Sequence, residues 1–230
     1  MKGVLKNFVV FLAVVGVARI AYGGIIIAPT LSISDGVHPS ITITDNLTGD
    51  LNSAFGEVTM STTIGVWTLS ISTGVTAPAL GGSTNPVMDL VIQASSTGAG
   101  SLTYTFSDIG YSAPAGTLNA IVSGQVISGA PTKVDYSVYG DAGNVAGALT
   151  TLLATTGTNS LPILASASGP VNLSTPFSLS QVVQLTASGA SSVSVDASLN
   201  VVPEPSTVAL TFLGLASLVG GLAHRRRSSR

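Results

Sequence analysis

Few side chains in this sequence have the chemistry of catalysts or metal ligands. The chain has no cysteine, which excludes disulfides, thiol nucleophiles and thiolate metal sites. His38 is the one histidine between residues 24 and 202, and no Gly-x-Ser-x-Gly motif accompanies it. Neither a serine hydrolase nor a zinc site is therefore predicted. Because His38 precedes Pro39 and follows Asp35-Gly36, we expect it to be a loop residue.

Carboxylates are the other candidates, since two of them converging at about 5–9 Å can cleave a glycoside. Glu57 is the only glutamate between residues 24 and 202, and most of the aspartates fall in turn sequences, where they bond to local backbone. The stretch 45–50 is oxygen-rich but lacks the spacing and the distal glutamate of a calcium loop. We predict no catalytic residue, metal or cofactor, with paired carboxylates as the open alternative. The acids of this segment are Asp35, Asp45, Asp50, Glu57, Asp89, Asp108, Asp135, Asp141 and Asp196.

Trp67 is the single tryptophan, and aromatic rings can form platforms for sugars. In a strand, period two places it on the same face as Leu69 and Ile71, so we expect it in the core, with a sugar platform as the alternative. Tyr139 is expected on the face opposite Tyr136. The same alternation assigns to the core Tyr104, Phe106, Val134, Tyr136 and Val138.

Alternating hydroxyl and aliphatic residues recur along the chain and indicate strands with one buried face. Glycine and proline turn signals separate these segments. About ten short strands without intervening amphipathic helices predict a single all-β domain over 24–201, an antiparallel β-sandwich of jelly-roll-like or Ig-like type. The predicted strands are 24–28, 40–44, 57–64, 66–72, 87–94, 101–107, 118–127, 133–139, 177–185 and 192–201.

One stretch departs from this alternation. Val145, Leu149, Leu152 and Leu153 have helical spacing, and Asp141 is a plausible N-cap. A short helix near 142–154 is therefore expected, although two glycines and two threonines within it oppose a helix.

Basic and acidic residues are segregated along the chain. Lys133 alone faces nine acids between residues 24 and 202, which gives this segment a net charge of −8. An acidic body argues against nucleic-acid partners and favours solubility. The other basic residues lie at the two ends: Lys2, Lys6, Arg19, Arg225, Arg226, Arg227 and Arg230.

The N-terminus has the order of a secretory signal peptide. Lys2 and Lys6 precede eleven apolar residues over 8–18, a run shorter than the ~20 residues of a membrane-spanning helix. Small residues follow, and cleavage is expected after Gly23. We predict a signal peptide over 1–23, with an uncleaved anchor or a buried helix as the alternatives.

The C-terminus combines three features within residues 202–230. The motif Val202-Pro203-Glu204-Pro205-Ser206 precedes seventeen uncharged residues over 207–223, which at 1.5 Å per residue of helix approach the thickness of a bilayer. The basic tail 224–230 with its four arginines would stay cytoplasmic. Because two prolines exclude regular helix, the motif is expected to be extended and accessible. A permanent single-pass anchor is the alternative.

This tail closely resembles the PEP-CTERM sorting signal, in which a Val-Pro-Glu-Pro-Ser-type motif precedes a transmembrane helix and an arginine-rich end. The resemblance covers about an eighth of the chain, from Val202 to Arg227. It implies that an exosortase, a membrane-embedded cysteine protease or transpeptidase, recognises and removes the tail in a Gram-negative bacterium that makes exopolysaccharide.

These observations predict an exported, non-enzymatic protein of the cell surface or extracellular matrix, associated with exopolysaccharide or biofilm. The Sec translocon and signal peptidase are expected partners at export, the exosortase and inner membrane at sorting, and exopolysaccharide afterwards. A carbohydrate-binding module or adhesin is the first alternative. A secreted hydrolase with paired carboxylates is the second.

Overall fold

The computed structural model describes residues 28–204, which fold into strands joined by turns and loops, with no helix in this range. Accordingly, the described range has no helix long and apolar enough to cross a membrane. The strands are β1 (Thr30–Ser34), β2 (Ile41–Thr44), β3 (Glu57–Ile64), β4 (Trp67–Val75), β5 (Gly81–Gly82), β6 (Asn85–Ser96), β7 (Gly100–Tyr111), β8 (Gly116–Gly129), β9 (Thr132–Asp141), β10 (Thr151–Ser160), β11 (Ile163–Val171), β12 (Phe177–Ala187) and β13 (Ser191–Pro203).

Two antiparallel sheets form a sandwich. Sheet A has the order β10-β9-β12-β7-β1-β2, and sheet B has the order β11-β8-β13-β6-β4-β3, with the short β5 paired to β6. The predicted all-β antiparallel sandwich is thus confirmed. β10 is the edge strand of sheet A and β11 is the edge strand of sheet B, and these two strands contact each other along one side of the sandwich. A Cβ atom at Gly169 of β11 would collide with the Leu153 carbonyl oxygen of β10.

Period-two alternation places aliphatic and aromatic residues between the sheets. In β7, Leu102, Tyr104 and Phe106 point inward, while Thr103 and Thr105 between them point to the outer face. Trp67 is 0% exposed, which confirms its expected place in the core. The core predictions for Val134, Tyr136 and Val138 are also confirmed, and Tyr139 lies on the outer face as expected.

Gly74 of β4 allows the two sheets to approach closely at the centre of the core. A Cβ atom at Gly74 would lie 2.5 Å from Cδ2 and Cε2 of Phe106, which belongs to the facing sheet. The aromatic ring therefore occupies the space that a side chain at residue 74 would need.

The predicted helix near 142–154 is wrong. Residues 142–150 form a loop, and β10 begins at Thr151. Asn144 and Gly147 adopt φ angles of 56° and 73°, which a right-handed helix does not allow. Instead of capping a helix, Asp141 Oδ2 accepts a hydrogen bond from Val145 N at 3.0 Å. The loop covers the outer face of sheet A, where Ser178 Oγ donates to the Val145 carbonyl oxygen at 2.9 Å.

Several sequence predictions fall on residues outside the described range. These are the signal peptide over 1–23 with cleavage after Gly23, most of the strand predicted at 24–28, Pro205 and Ser206 of the motif, the apolar segment 207–223, and the tail with Arg225, Arg226, Arg227 and Arg230.

Gln181 of β12 is a polar residue buried between the sheets. Its Oε1 accepts a hydrogen bond from Tyr136 Oη at 2.7 Å, but Nε2 has no partner among the described residues. A buried donor without an acceptor destabilises a fold by about 1–3 kcal/mol. In Gln181→Met the amide nitrogen is gone, and Tyr136 Oη can still donate to the Ser198 carbonyl oxygen, 3.1 Å away.

We therefore expect Gln181→Met to raise the free energy of unfolding by about 1 kcal/mol. Urea denaturation followed by circular dichroism measures the change. Gln184→Met, on the exposed face of the same strand, is the matched control and should stay within about 0.5 kcal/mol of the wild type. A loss of stability in Gln181→Met would mean that Nε2 has a partner in solution, such as a buried water.

Candidate functional site

The first residues of the C-terminal motif belong to the sheet. Val202 and Pro203 end β13 and lie opposite Thr117 and Gly116 of β8, and Glu204 N donates to the Ala115 carbonyl oxygen at 3.2 Å. Val202 is 48% exposed, and Pro203 and Glu204 are exposed as well. The proline lies at the strand end, where a missing N–H is tolerated. These three residues are therefore accessible while Val202 and Pro203 are paired with β8 and Glu204 is bonded to the residue just before that strand.

Two aspartates meet on the outer face of sheet B. Asp196 of β13 lies opposite Val91 of β6, and Asp89 is two residues along β6 on the same face, so the two carboxylates are diagonal neighbours. Burial, the charge of Asp196 and a hydrogen bond between the two carboxyl groups raise the pKa of Asp89 to about 6. Asp196 also lines a cleft of about 320 Å³ with Ser123 and Gln125.

The open alternative of paired carboxylates needs two groups about 5–9 Å apart on either side of a bound substrate. Asp89 and Asp196 lie side by side on one sheet face, where burial and the charge of Asp196 disfavour ionisation of Asp89. The sequence did not indicate this pair, because the two residues lie in strands that are far apart along the chain.

A second acidic cluster lies in the interior, at the end of the sandwich from which β13 leaves. Asp108 Oδ2 accepts hydrogen bonds from Tyr111 Oη at 3.0 Å and from Thr76 Oγ1 at 3.1 Å, and Oδ1 accepts one from Ile109 N. Burial raises the pKa of Asp108 to about 6 despite these donors, and the charge of Asp45 adds to the effect. Because all of these partners belong to the protein, the cluster serves to hold the strand ends together.

The oxygen-rich stretch 45–50 uses its carboxylates locally. Asp50 Oδ2 accepts from Asn46 N at 2.8 Å, and its Oδ1 accepts from Asn52 N and Thr59 N at 3.0 and 2.9 Å. Asp45 Oδ2 accepts from Gly56 N at 2.8 Å. These backbone N–H groups occupy the oxygens that a cation would need. In the described part of the chain, no group of three or more His, Cys, Asp or Glu side chains is arranged to hold a metal ion.

His38 lies in the β1–β2 loop, which confirms the loop prediction, and it is paired with Asp35. The distance from His38 Nδ1 to Asp35 Oδ2 is 2.7 Å, while Asp35 Oδ1 accepts from His38 N and Val37 N at 2.8 and 3.0 Å. The hydrogen bonds from the backbone and ring of His38 lower the pKa of Asp35 to about 2. The imidazole is 56% exposed and the carboxylate 8%.

A cleft of about 380 Å³ lies beside this pair, and Ser101 is among the residues that line it. A serine, a histidine and an aspartate therefore share one cleft. However, Ser101 Oγ lies 3.3 Å from Thr186 Oγ1 and forms a hydrogen bond across the outer face of sheet A. Ser101 is accordingly assigned a structural contact rather than the role of nucleophile.

No family model and no curated protein matches the chain. Among solved structures, a carbohydrate-binding module of the β-sandwich superfamily is 12% identical, with a TM-score of 0.33, over 72% of this chain and 70% of the module. A carbohydrate-binding module in complex with β-1,4-galactotriose is 9% identical, with a TM-score of 0.28, over 56% of this chain and 86% of the module.

The enzymatically active domain of tailspike protein 4 of bacteriophage CBA120 is 12% identical, with a TM-score of 0.30. That match covers 61% of this chain and 20% of the tailspike chain. The structural neighbours thus include carbohydrate-binding modules with β-sandwich folds, and none of these similarities assigns the chain to a family.

Proposed function

We propose that this chain is an exported, non-enzymatic protein of the cell surface or extracellular matrix, whose C-terminal tail is recognised and removed by an exosortase. The observation that carries the proposal is the order of motif, apolar segment and arginine cluster over residues 202–230. The charged and then apolar N-terminus over 1–23 supports export through the Sec translocon and cleavage by signal peptidase. The inner membrane then holds the chain through 207–223 until sorting.

The end of β13 supports this order of events. All thirteen strands of the described range 28–204 lie before Glu204, so cleavage beyond that residue would leave each of them in place. Val202, Pro203 and Glu204 are exposed, which gives an enzyme access to the start of the motif.

Mass spectrometry of the native mature protein tests this proposal. We expect a mass that lacks residues 1–23 and the apolar and basic segments after the motif. Glu204→Ala should retain the tail, because the motif is incomplete, whereas Asn200→Ala on the exposed face of β13 should be processed normally. A mature surface protein that retains 207–230 would contradict the proposal, and turnover of a glycoside or ester by the purified protein would contradict its non-enzymatic part.

Among β-sandwiches, we assign this one to the jelly-roll-like type. From β6 to β13 the chain passes from one sheet to the other at every connection except β9–β10. Successive strands that alternate between two sheets are the arrangement expected of a jelly roll.

Carbohydrate binding is the second candidate function. Shallow clefts lined by hydroxyl, amide and carboxylate groups favour it, as in the cleft formed by Ser123, Gln125, Ser194 and Asp196. Trp67 is 0% exposed and so offers no stacking platform, and among the described residues Phe55 is the apolar aromatic side chain that is largely exposed, at 57%. Binding would therefore depend on hydrogen bonds and aliphatic contacts more than on aromatic stacking.

A further inference from the structure

Three loops at one end of the sandwich form the cleft of about 380 Å³, here called the end cleft. They are the β1–β2 loop, the β3–β4 turn and the β6–β7 turn. Trp67 is paired with Ser96 of β6, and Ser96 is paired with Ser191, the first residue of β13. The end cleft therefore lies at the end of the sandwich where β13 starts, and Glu204 follows β13 at the other end. The residues used below are Asp35, Val37, His38, Val66, Trp67 and Gly100.

The floor of the end cleft carries a hydrogen-bond donor without an acceptor. Trp67 is fully buried, and its Nε1 has no partner among the described residues. A Cβ atom at Gly100 would lie 3.4 Å from this nitrogen and 3.0 Å from Val66 Cγ2. Gly100 also lines the cleft and has no side chain, so the position beside Nε1 that a methyl group would fill adjoins the cleft. Nε1 itself has no exposed surface, so a ligand accepts this hydrogen bond when it takes that position.

The rim of the end cleft presents one free ring nitrogen. His38 Nδ1 is held by Asp35 Oδ2 at 2.7 Å, so in the neutral imidazole Nδ1 carries the proton and Nε2 is an acceptor. Asp35 is already bonded to three N–H groups and adds a negative charge to the rim. Val37 and Val66, both exposed, supply apolar surface.

These features select the chemistry of the ligand. It must accept a hydrogen bond at the indole, donate one at the imidazole and present C–H groups to the valines, and hydroxyl groups on a carbon ring do all three. The charge of Asp35 opposes an anion, and a simple cation offers no acceptor to Trp67. The volume is near the lower limit of about 300–1,000 Å³ for ligand pockets, so one or two rings fit.

We infer that the end cleft binds a terminal, uncharged sugar unit of a glycan, with Trp67 Nε1 and His38 Nε2 as its polar contacts. This inference rests on the second candidate function, carbohydrate binding, and adds the site and the class of ligand.

Trp67 makes a direct test possible, because it is the only tryptophan in the chain and gives a single indole N–H resonance. The full-length protein, labelled with ¹⁵N-tryptophan in a detergent without a sugar headgroup, is titrated with glucose, galactose, mannose and N-acetylglucosamine, and with glucuronate as an anionic probe. We expect at least one neutral sugar to shift the indole resonance saturably, and glucuronate to leave it unchanged.

Two glycines of the same turn supply a matched pair of variants. Gly100→Ala places a methyl group between the cleft and Nε1 and should weaken the sugar by about tenfold or more. Gly98→Ala, where a Cβ atom has no neighbour within 4 Å, should bind like the wild type. His38→Ala removes the second polar contact and should also weaken sugar binding. This variant leaves Gly100 unchanged, so its result does not depend on how the Gly100→Ala variant folds.

The possible outcomes distinguish an error in the binding site from an error in the proposed carbohydrate binding. If calorimetry detects a sugar but the indole resonance does not move, the end cleft is the wrong site and carbohydrate binding stands. If no neutral sugar binds at millimolar concentration, the inference and the carbohydrate-binding candidate both fail. A glucuronate shift as large as that of the neutral sugars would overturn the assigned ligand class.

Discussion

Replacement of Phe106 by alanine is expected to lower the free energy of unfolding by about 3–5 kcal/mol. Phe106 is fully buried between the sheets, and its ring lies over Gly74, which has no side chain that could move into the space that the ring leaves. Urea denaturation followed by circular dichroism measures the loss.

Gly74→Val tests the same contact from the opposite sheet. Alone, it should destabilise the protein by about 1–3 kcal/mol, because the new Cβ atom would lie 2.5 Å from the Phe106 ring. In the double variant Gly74→Val/Phe106→Ala, the valine occupies the vacated space, and the loss should be clearly smaller than the sum of the single losses. Gly82→Val in β5, where a Cβ atom has nothing within 4 Å, is the steric control. Additive losses would show that the two residues are not in contact.

Asp108→Asn is expected to remove most of the stability loss that the wild-type protein shows as the pH rises. Burial raises the pKa of Asp108 from 3.8 to about 6, so the folded protein binds this proton more tightly than the unfolded chain. The stabilisation is complete below about pH 4 and is lost as the pH rises through about 6, a total of about 3 kcal/mol. Asparagine is isosteric and neutral, and it can still accept from Ile109 N and donate to Tyr111 Oη or Thr76 Oγ1.

Urea denaturation at about pH 4.5 and about pH 7.5 measures this effect. The wild type should be less stable at the higher pH, and Asp108→Asn should show a much smaller difference. Burial also raises the pKa values of Asp45 and Asp89, so these carboxyls too make the protein less stable as the pH rises. The Asp108→Asn variant should therefore keep a small dependence of its stability on pH. The lowered pKa values of Asp35 and Asp141 act only when the pH falls below about 4. An unchanged slope in Asp108→Asn would mean that the pKa of this carboxyl is the same in the folded protein as in the unfolded chain.

The sheet class was predictable because most strands alternate strongly between hydroxyl and aliphatic residues. Over 102–106 of β7, the inward positions are large and apolar and the outward ones are threonine, so the period of two is unambiguous there. Trp67 was placed in the core with Leu69 by the same argument, but Ile71, expected on the same face, is 45% exposed because a register shift follows Leu69 in β4.

Strands β10 and β11 were not predicted, for different reasons. β10 is an edge strand with two register shifts against β9, and these bulges break the period of two while Leu152 and Leu153 mimic helical spacing. In β11, alternation runs through alanine and serine over 165–168, whose small difference in polarity gives a weak signal. β1 was missed because the sequence prediction placed a strand at 24–28 instead.

The candidate sites depended on the order of strands, which the sequence pattern does not reveal. Asp35 and His38 are three residues apart, so their pairing is local, but their approach to Trp67 and Gly100 requires three loops to meet at one end of the sandwich. Asp89 and Asp196 become neighbours only because β13 lies beside β6.

The position of β13 determines how the domain responds to a force that pulls on its C-terminus. This strand is hydrogen-bonded on both sides, to β8 and to β6, and the chain leaves it at Glu204, at the end opposite to the end cleft. A pull on the C-terminus acts along the strand and across its hydrogen bonds, which antiparallel pairing sets perpendicular to the strand. The bonds on both sides would therefore share the load in shear instead of opening one after another, so the domain is built to resist extension between its two ends.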